Sequence, residues 1–250
     1  MESRHKGDRS LRPLIRRFSR RATACGLRAR LSSNVTPQDM PHDVLLFDLD
    51  GTLSDPLNGI ERSIKYALAE HDFPPLAPGG AAAFIGPQID QSFTLITGIG
   101  SGERLNGLVA KYRERCADVG YAENVLYPGV PEALTALRAA DAVMGICTSK
   151  RVDFAEKILD LFDLRKYFRF VDGGEVGVHK WQQIEALLSV GGVTAASVMI
   201  GDRAVDLVAA HRNSLTSGGV LWGYGSYAEL SSEHPHYLFN SPEEWSTLVG

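Results

Sequence analysis

Two aspartates at alternate positions follow an apolar run near residue 45. The run Val44-Leu45-Leu46-Phe47 leads into Asp48-Leu49-Asp50 and then Gly51-Thr52-Leu53. An apolar run that ends in this way predicts a buried parallel strand whose carboxyl end opens into a functional loop. Alternate side chains of an extended chain point to one side, where ionised carboxylates repel each other unless a cation lies nearby. Oxygen ligands of this kind favour Mg²⁺.

Further segments place polar groups where an apolar run ends or a helix begins. The run Val143-Met144-Gly145-Ile146-Cys147 leads into Thr148-Ser149-Lys150, and Lys180 precedes Trp181-Gln182-Gln183-Ile184. The run Val198-Met199-Ile200-Gly201 leads into Asp202, and Asp206 lies four residues later. Because the carboxyl ends of parallel strands meet at one edge of a sheet, we expect Asp48, Thr148 and Asp202 to meet in one cleft.

Together with Asp48-Leu49-Asp50-Gly51-Thr52-Leu53, these segments resemble, in order and spacing, the four motifs of the haloacid dehalogenase-like (HAD) phosphohydrolases. The resemblance covers residues from about 43 to the C-terminus. Asp55-Pro56, Phe84-Ile85-Gly86-Pro87 and residues 219–226 are similar to the phosphoglycolate phosphatase/5′-nucleotidase-like branch. The implied fold is α/β, a Rossmann-like parallel sheet with helices on both faces plus a small helical cap. One departure is the segment 174–179, which looks shorter than the loop before this lysine in the nearest relatives.

The resemblance implies a catalytic and a metal-binding role for the aspartates. Asp48 would be the nucleophile that forms an aspartyl-phosphate. Asp50 would protonate the leaving alcohol and then deprotonate the attacking water. Mg²⁺ would be held by the Asp48 carboxylate, the Asp50 main-chain carbonyl and the Asp202 carboxylate, with Asp206 as a further ligand or acting through water. Asp202 and Asp206 share one face if a helix starts at 202.

The remaining candidate residues would bind the substrate. By resemblance, Thr148 would donate its hydroxyl to a phosphoryl oxygen, with Ser149 beside it as a substrate-binding residue. Lys180 would neutralise the phosphorylated aspartate and orient Asp48. In the cap region, Arg113 and Lys111 could reach a second anionic group of the substrate, although a solvated helix face is an equal alternative for both.

The sequence also predicts where the domains lie. Residues 56–125 change from strand-like to helical spacing, so we expect a helical cap there. Residues 42–55 and 126–250, in which strands and helices alternate, would form the α/β core. Residues 1–41 would be a disordered basic extension, since 1–40 hold ten Lys and Arg against three acidic residues.

Composition narrows the functional classes. The 250 residues are 44% hydrophobic and 22% charged, which is typical of a globular protein. Residues 41–250 hold 16 basic and 27 acidic residues, which argues against nucleic-acid binding. No apolar stretch has the eighteen or so residues needed to span a membrane. The three cysteines are scattered, which favours a reducing compartment, and we expect a cytoplasmic monomer or homodimer.

The resulting hypothesis is a Mg²⁺-dependent phosphatase that acts on a small phosphorylated metabolite, such as phosphoglycolate or a nucleoside 5′-monophosphate. A sugar phosphomutase with the same four motifs stays open, as does a catalytically silent binding or regulatory protein. A dehalogenase is disfavoured because its chemistry needs neither Asp50 nor the magnesium cluster. The glycine-rich segment 98–102 lacks the spacing of a dinucleotide fingerprint.

Overall fold

The computed structural model describes residues 42–77 and 79–249, so the expectation for residues 1–41 lies outside the described part of the chain. The strands, in chain order, are β1 (Leu45–Phe47), β2 (Ser54–Asp55), β3 (Val125–Leu126), β4 (Met144–Thr148), β5 (Phe168–Gly173), β6 (Val198–Gly201), β7 (Thr216–Val220) and β8 (Tyr237–Phe239). The α-helices are α1 (Leu57–Glu70), α2 (Ile89–Thr97), α3 (Glu103–Asp118), α4 (Val130–Ala139), α5 (Val152–Leu161), α6 (Lys180–Ser189), α7 (Ala204–Arg212) and α8 (Tyr227–Ser232). Short 3₁₀ helices cover Gly80–Phe84, Gly120–Glu123, Arg165–Tyr167 and Pro242–Leu248.

Six strands form one sheet in the order β5-β4-β1-β6-β7-β8, and every neighbouring pair is parallel. The central strand β1 pairs with β4 and β6, with Phe47 opposite Ile146 and Ile200. This register brings the carboxyl ends of the three strands to the same level. The α/β parallel sheet inferred from the sequence is therefore confirmed.

The strand residues alternate between two hydrophobic clusters. Leu45 and Phe47 belong to the cluster that contains helix α4 and the buried Trp245, whose ring packs edge-on against Phe47 at a centroid distance of 4.8 Å. Leu46 and Met199 belong to the cluster on the other face, with residues of α6 and α7. Both faces of the sheet are covered by helices, which explains why the inner strands β1, β4 and β6 are almost continuously apolar.

The helices of the expected cap share a third cluster. Ile64 and Leu68 of α1, Phe93 of α2 and Leu108 of α3 are fully buried in it. Phe154 of α5 also packs there, so the core helix contributes to the same cluster. The segments that enter and leave the insertion run side by side, because β2 and β3 pair antiparallel. The exact boundaries at 55/56 and 125/126 remain a prediction.

The end of β7 and the start of α7 position two loops of the molecule. Strand β7 covers Thr216–Val220 despite its polar and glycine-rich start, because its backbone pairs with β6. Helix α7 begins at Ala204, so Asp202 precedes the helix and does not share a helical face with Asp206. Within 42–77 and 79–249, none of the helices combines the length and the apolar character that a membrane crossing requires.

Candidate active site

The candidate residues lie at the carboxyl edge of the central strands. Asp48 directly follows β1, Thr148 is the last residue of β4 and Asp202 directly follows β6. Lys180 is the first residue of α6, and Asp206 lies in the first turn of α7. The loop before Lys180, although short, still delivers this lysine to the edge of the sheet.

Three buried carboxylates form the centre of the site. Asp48, Asp202 and Asp206 each offer an oxygen, and these oxygens lie within 4.8 Å of one another. Burial first, and then the neighbouring carboxylates Asp206 and Asp48, raise the pKa of Asp202 well above its ordinary value. Burial likewise raises the pKa of Asp206. Within the described residues, Asp202 Oδ1 is buried and has no hydrogen-bond partner. An all-oxygen group of this kind fits a divalent cation such as Mg²⁺.

The backbone of the neighbouring loops approaches the Asp202 carboxylate closely. Gly51 has a φ of +86°, and a Cβ at this position would overlap the Asp202 side chain. Across the site, the Tyr224 N–H donates to Asp202 Oδ2 at 2.8 Å. The indole Nε1 of Trp222 donates to the carbonyl oxygen of Thr52 at 3.1 Å. The loop after β7 thus closes over the turn that carries Gly51.

Lys180 joins two of the three carboxylates. Its Nζ lies 3.0 Å from Asp48 Oδ1 and donates a hydrogen bond to Asp206 Oδ1. The lysine side chain is 1% exposed. Burial alone would lower the pKa of Lys180, but the Asp206 and Asp48 carboxylates outweigh it and raise this pKa above its ordinary value. The ammonium therefore stays charged, and it offsets part of the repulsion among the carboxylates.

Asp50 lies apart from this group and pairs with a second lysine. Lys150 Nζ lies 2.7 Å from Asp50 Oδ2, and both side chains are 12% exposed. Burial raises the pKa of Asp50, although Lys150 opposes this change. Lys150 was not among the residues expected at the site. Its position two residues after Thr148, at the same strand end, was the available signal.

A cavity lies between the edge of the sheet and the helices of the insertion. Asp48, Asp50 and Thr148 line its floor, together with Ser149 and Lys150. Its upper walls are largely aromatic and apolar, and they include Phe84, Ile89, Tyr112, Tyr121 and Phe154. The cavity is therefore charged on the side of the sheet edge and largely apolar on the opposite walls.

Of the two cations expected on the insertion, the structure brings one to the cavity. Arg113 lines the cavity from α3. Lys111 is not among the lining residues; its Nζ forms ion pairs with Glu114 at 2.9 Å and Glu70 at 3.4 Å. The expectation that Lys111 could reach the substrate is therefore not supported, because neighbouring carboxylates hold its ammonium elsewhere. Its i, i+3 spacing to Glu114 was the signal for this pair.

The insertion is tied to both loops that carry charged site residues. The Gln88 side chain donates to Glu175 O at 3.0 Å and accepts from Gly177 N at 3.2 Å, in the loop before Lys180. Arg203, between Asp202 and Asp206 in the chain, donates to Ile85 O through Nη1. These contacts were not expected from the sequence, because they depend on how the insertion packs against the core.

Known proteins are similar to this chain in sequence and in fold. A curated 5′-nucleotidase from Pseudomonas aeruginosa is 40% identical over 200 residues, covering 77% of this chain and 89% of the relative. A phosphoglycolate phosphatase from Aquifex aeolicus is 26% identical, covering 82% and 96% of the two chains. The crystal structure of a predicted phosphatase from Clostridium acetobutylicum superposes with a TM-score of 0.77 at 32% identity, covering 82% of this chain and 97% of that one.

The family model of the haloacid dehalogenase-like hydrolases matches residues 45–220. This match begins at β1 and ends with β7, so it contains every candidate residue. The match confirms the resemblance inferred from the four motifs, and the chain belongs to the haloacid dehalogenase-like hydrolase family.

Proposed function

We propose that this chain is a Mg²⁺-dependent phosphomonoester hydrolase that works through an aspartyl-phosphate on Asp48. The observation that carries the proposal is the buried group of Asp48, Asp202 and Asp206, joined by Lys180 at 3.0 Å from Asp48 Oδ1. Phosphoryl transfer needs a positioned nucleophile and positive charge around the phosphoryl oxygens. This group offers the nucleophile, the cation site and a lysine within one cluster.

In the first step, a carboxylate oxygen of Asp48 attacks the phosphorus of the ester. The bond from phosphorus to the leaving oxygen breaks, and Asp50 gives that oxygen a proton. Lys180 offsets charge on the phosphoryl oxygens, and the hydroxyl of Thr148 donates a hydrogen bond to one of them. Asp48 then carries the phosphoryl group, and the alcohol is free to leave.

In the second step, a water molecule attacks the phosphorus, and Asp50 takes a proton from it. The bond between phosphorus and Asp48 breaks, which restores the carboxylate and releases inorganic phosphate. Mg²⁺, held by the carboxylates of Asp48, Asp202 and Asp206 and by the Asp50 carbonyl, would supply positive charge that offsets the charge on the phosphoryl group.

The substrate in this proposal is a small phosphorylated metabolite, either phosphoglycolate or a nucleoside 5′-monophosphate. The names of two relatives, 5′-nucleotidase and phosphoglycolate phosphatase, support this class. The insertion 56–125 would act as the cap that encloses the leaving group. Arg113 on its α3 would meet the substrate there, and Ser149 on the core would contact the phosphoryl group.

A phosphate-release assay across a panel of phosphorylated metabolites tests the proposal. The panel contains nucleoside 5′-monophosphates, phosphoglycolate and hexose phosphates, each with Mg²⁺ and after chelation with EDTA. We expect release that needs Mg²⁺ and that returns when Mg²⁺ is restored. A sugar phosphomutase would instead convert hexose phosphates into their isomers with little free phosphate. Absence of turnover on the whole panel would contradict the proposal.

A further inference from the structure

Asp48 and Asp50, which flank Leu49, form ion pairs with two different lysines. Lys180 Nζ lies against Asp48 and Asp206, whereas Lys150 Nζ lies 2.7 Å from Asp50 Oδ2. Among the described residues, Asp50 is the only carboxylate within ion-pair distance of Lys150. The two lysines therefore serve different carboxylates and come from different elements, α6 and the loop after β4.

The backbone of Lys150 is fixed on both sides. Its N–H donates to Thr148 Oγ1 at 3.2 Å, and its carbonyl oxygen accepts from the Gly174 N–H at 2.8 Å. A Cβ at Gly174 would overlap the backbone of Ser149, so this close approach of two loops requires glycine. Lys150 thus projects from a point that the ends of β4 and β5 hold in place.

The ion pair leaves one oxygen of Asp50 uncommitted. Lys150 binds Oδ2, while Oδ1 is buried and has no hydrogen-bond partner within the described residues. Both residues line the cavity floor. A carboxyl group held through one oxygen presents the other in a fixed direction, which is what proton transfer to a bound ester requires.

We propose that Lys150 is a positioning residue that holds Asp50 for proton transfer to the leaving-group oxygen. The inference rests on the proposed function, because it assigns a partner to the acid of that mechanism. Lys150 binds Asp50 Oδ2 throughout, and Asp50 Oδ1 gives its proton as the phosphorus–oxygen bond breaks. A substrate whose leaving group departs as a stable anion needs no such proton.

Two esters of similar shape separate this role from simple phosphate binding. Benzyl phosphate releases an alkoxide-like oxygen that needs a proton, whereas 4-nitrophenyl phosphate releases a stable phenolate. We measure kcat/KM with Mg²⁺ for the wild type, Lys150→Met, Lys150→Arg and Asp50→Asn. A positioned general acid contributes on the order of 10²-fold or more.

The expected result is a loss in Lys150→Met of about 10²-fold on benzyl phosphate and less than about threefold on 4-nitrophenyl phosphate. Lys150→Arg should recover part of the benzyl phosphate activity. The double variant Lys150→Met/Asp50→Asn should have nearly the same kcat/KM on benzyl phosphate as Asp50→Asn alone, because the effects of residues that act as one unit are not additive. The control is Arg151→Met: Arg151 also lines the cavity but pairs with Asp153, so any loss should be equal on both esters.

Equal losses of Lys150→Met on the two esters would overturn the inference and leave the proposed function intact, since Lys150 would then bind phosphate or support the fold. Full additivity with Asp50→Asn would overturn it as well. A wild-type enzyme that releases no phosphate from either ester would overturn the proposed function together with this inference. Circular dichroism and the unfolding temperature of each variant show that the comparison concerns folded protein.

Discussion

Lys180 Nζ lies 3.0 Å from Asp48 Oδ1, and neither side chain is more than 4% exposed. The two residues come from distant parts of the chain, one after the central strand and one at the start of α6. Taking both charges out of water is costly, so the pair persists only because each charge has a partner. The fold therefore places a charged lysine next to the proposed nucleophile, although removing both charges from water is unfavourable.

Removing the charge of Lys180 should destabilise the protein as well as inactivate it. In Lys180→Met, the Asp48 and Asp206 carboxylates lose their buried cation, and breaking a buried pair in this way costs about 3–5 kcal/mol. The free energy of unfolding, measured with urea in EDTA, checks this. The control is Lys166→Met, whose pair with Asp163 is exposed and is expected to contribute little to stability. Similar losses of unfolding free energy in the two variants would show that the buried pair contributes no more to stability than the exposed pair.

Asp202→Asn should separate metal binding from stability. Burial raises the pKa of Asp202, so the folded state binds more protons than the unfolded state between the ordinary and the raised value. Stability then falls as the pH rises through this range, and without a cation the ionised carboxylate is unfavourable. In EDTA at neutral pH, Asp202→Asn should unfold at a temperature no lower than that of the wild type.

Saturating Mg²⁺ should stabilise the wild type but not Asp202→Asn. A ligand at a concentration of 100 times its dissociation constant raises the free energy of unfolding by about 2.7 kcal/mol. For a domain of this size, this corresponds to a rise of about 5–10 °C in unfolding temperature. The wild type should show this rise, and Asp202→Asn should show little or none. An equal rise in both proteins would place the metal elsewhere.

Two glycines with similar positive φ angles provide a test of the close packing around Asp202. Gly51 and Gly177 both have positive φ, at +86° and +80°, but only at Gly51 would a Cβ meet the Asp202 carboxylate. Alanine costs about 1–2 kcal/mol at either position through the left-handed backbone. Gly51→Ala should in addition lose phosphate release by at least about 10²-fold, as misplaced catalytic groups do. Activity assays on both variants check this, and inactive Gly177→Ala would point to backbone strain instead.

The two cations of α3 should affect substrate preference differently. Arg113→Ala removes a cation from the cavity wall, and we expect its kcat/KM to fall about tenfold or more on an anionic metabolite such as phosphoglycolate. A tenfold loss corresponds to about 1.4 kcal/mol of transition-state binding. Hydrolysis of 4-nitrophenyl phosphate should change less. Lys111→Ala, which loses ion pairs with Glu114 and Glu70 but no residue of the cavity wall, should keep the wild-type preference. Identical effects of the two variants would remove Arg113 from substrate selection.

The sequence was sufficient to predict the residues at the carboxyl ends of the strands. Asp48, Thr148 and Asp202 each end an apolar run, and parallel strands bring such ends together whatever the details of packing. The ion pair of Lys150 with Asp50 was not predictable in this way, because a lysine in a loop is usually solvated. The contacts of Gln88 and Arg203 were not predictable either, since they depend on how the insertion packs.

The contacts of Asp202, which lies between strand β6 and helix α7, were not predictable from the local sequence. The Gly201-Asp202 pair was compatible with a helix that starts at 202, but Asp202 stays in the loop, where its carboxylate accepts from Tyr224. This partner comes from the loop after β7, which no local pattern around Asp202 indicates. Local sequence thus identified the carboxylate, and long-range packing determined what it contacts.

The central claim is that Asp48 carries the phosphoryl group between the two steps, and trapping the phosphorylated enzyme tests it most directly. Wild type and Asp48→Asn are mixed with 4-nitrophenyl phosphate and Mg²⁺, quenched in acid within one turnover, digested and examined by mass spectrometry. We expect one phosphoryl group on Asp48 of the wild type, none on Asp48→Asn, and an Asp48→Asn variant that stays folded but releases essentially no phosphate. Phosphate release by Asp48→Asn at the wild-type rate, or a phosphoryl group trapped on another residue, would contradict the account.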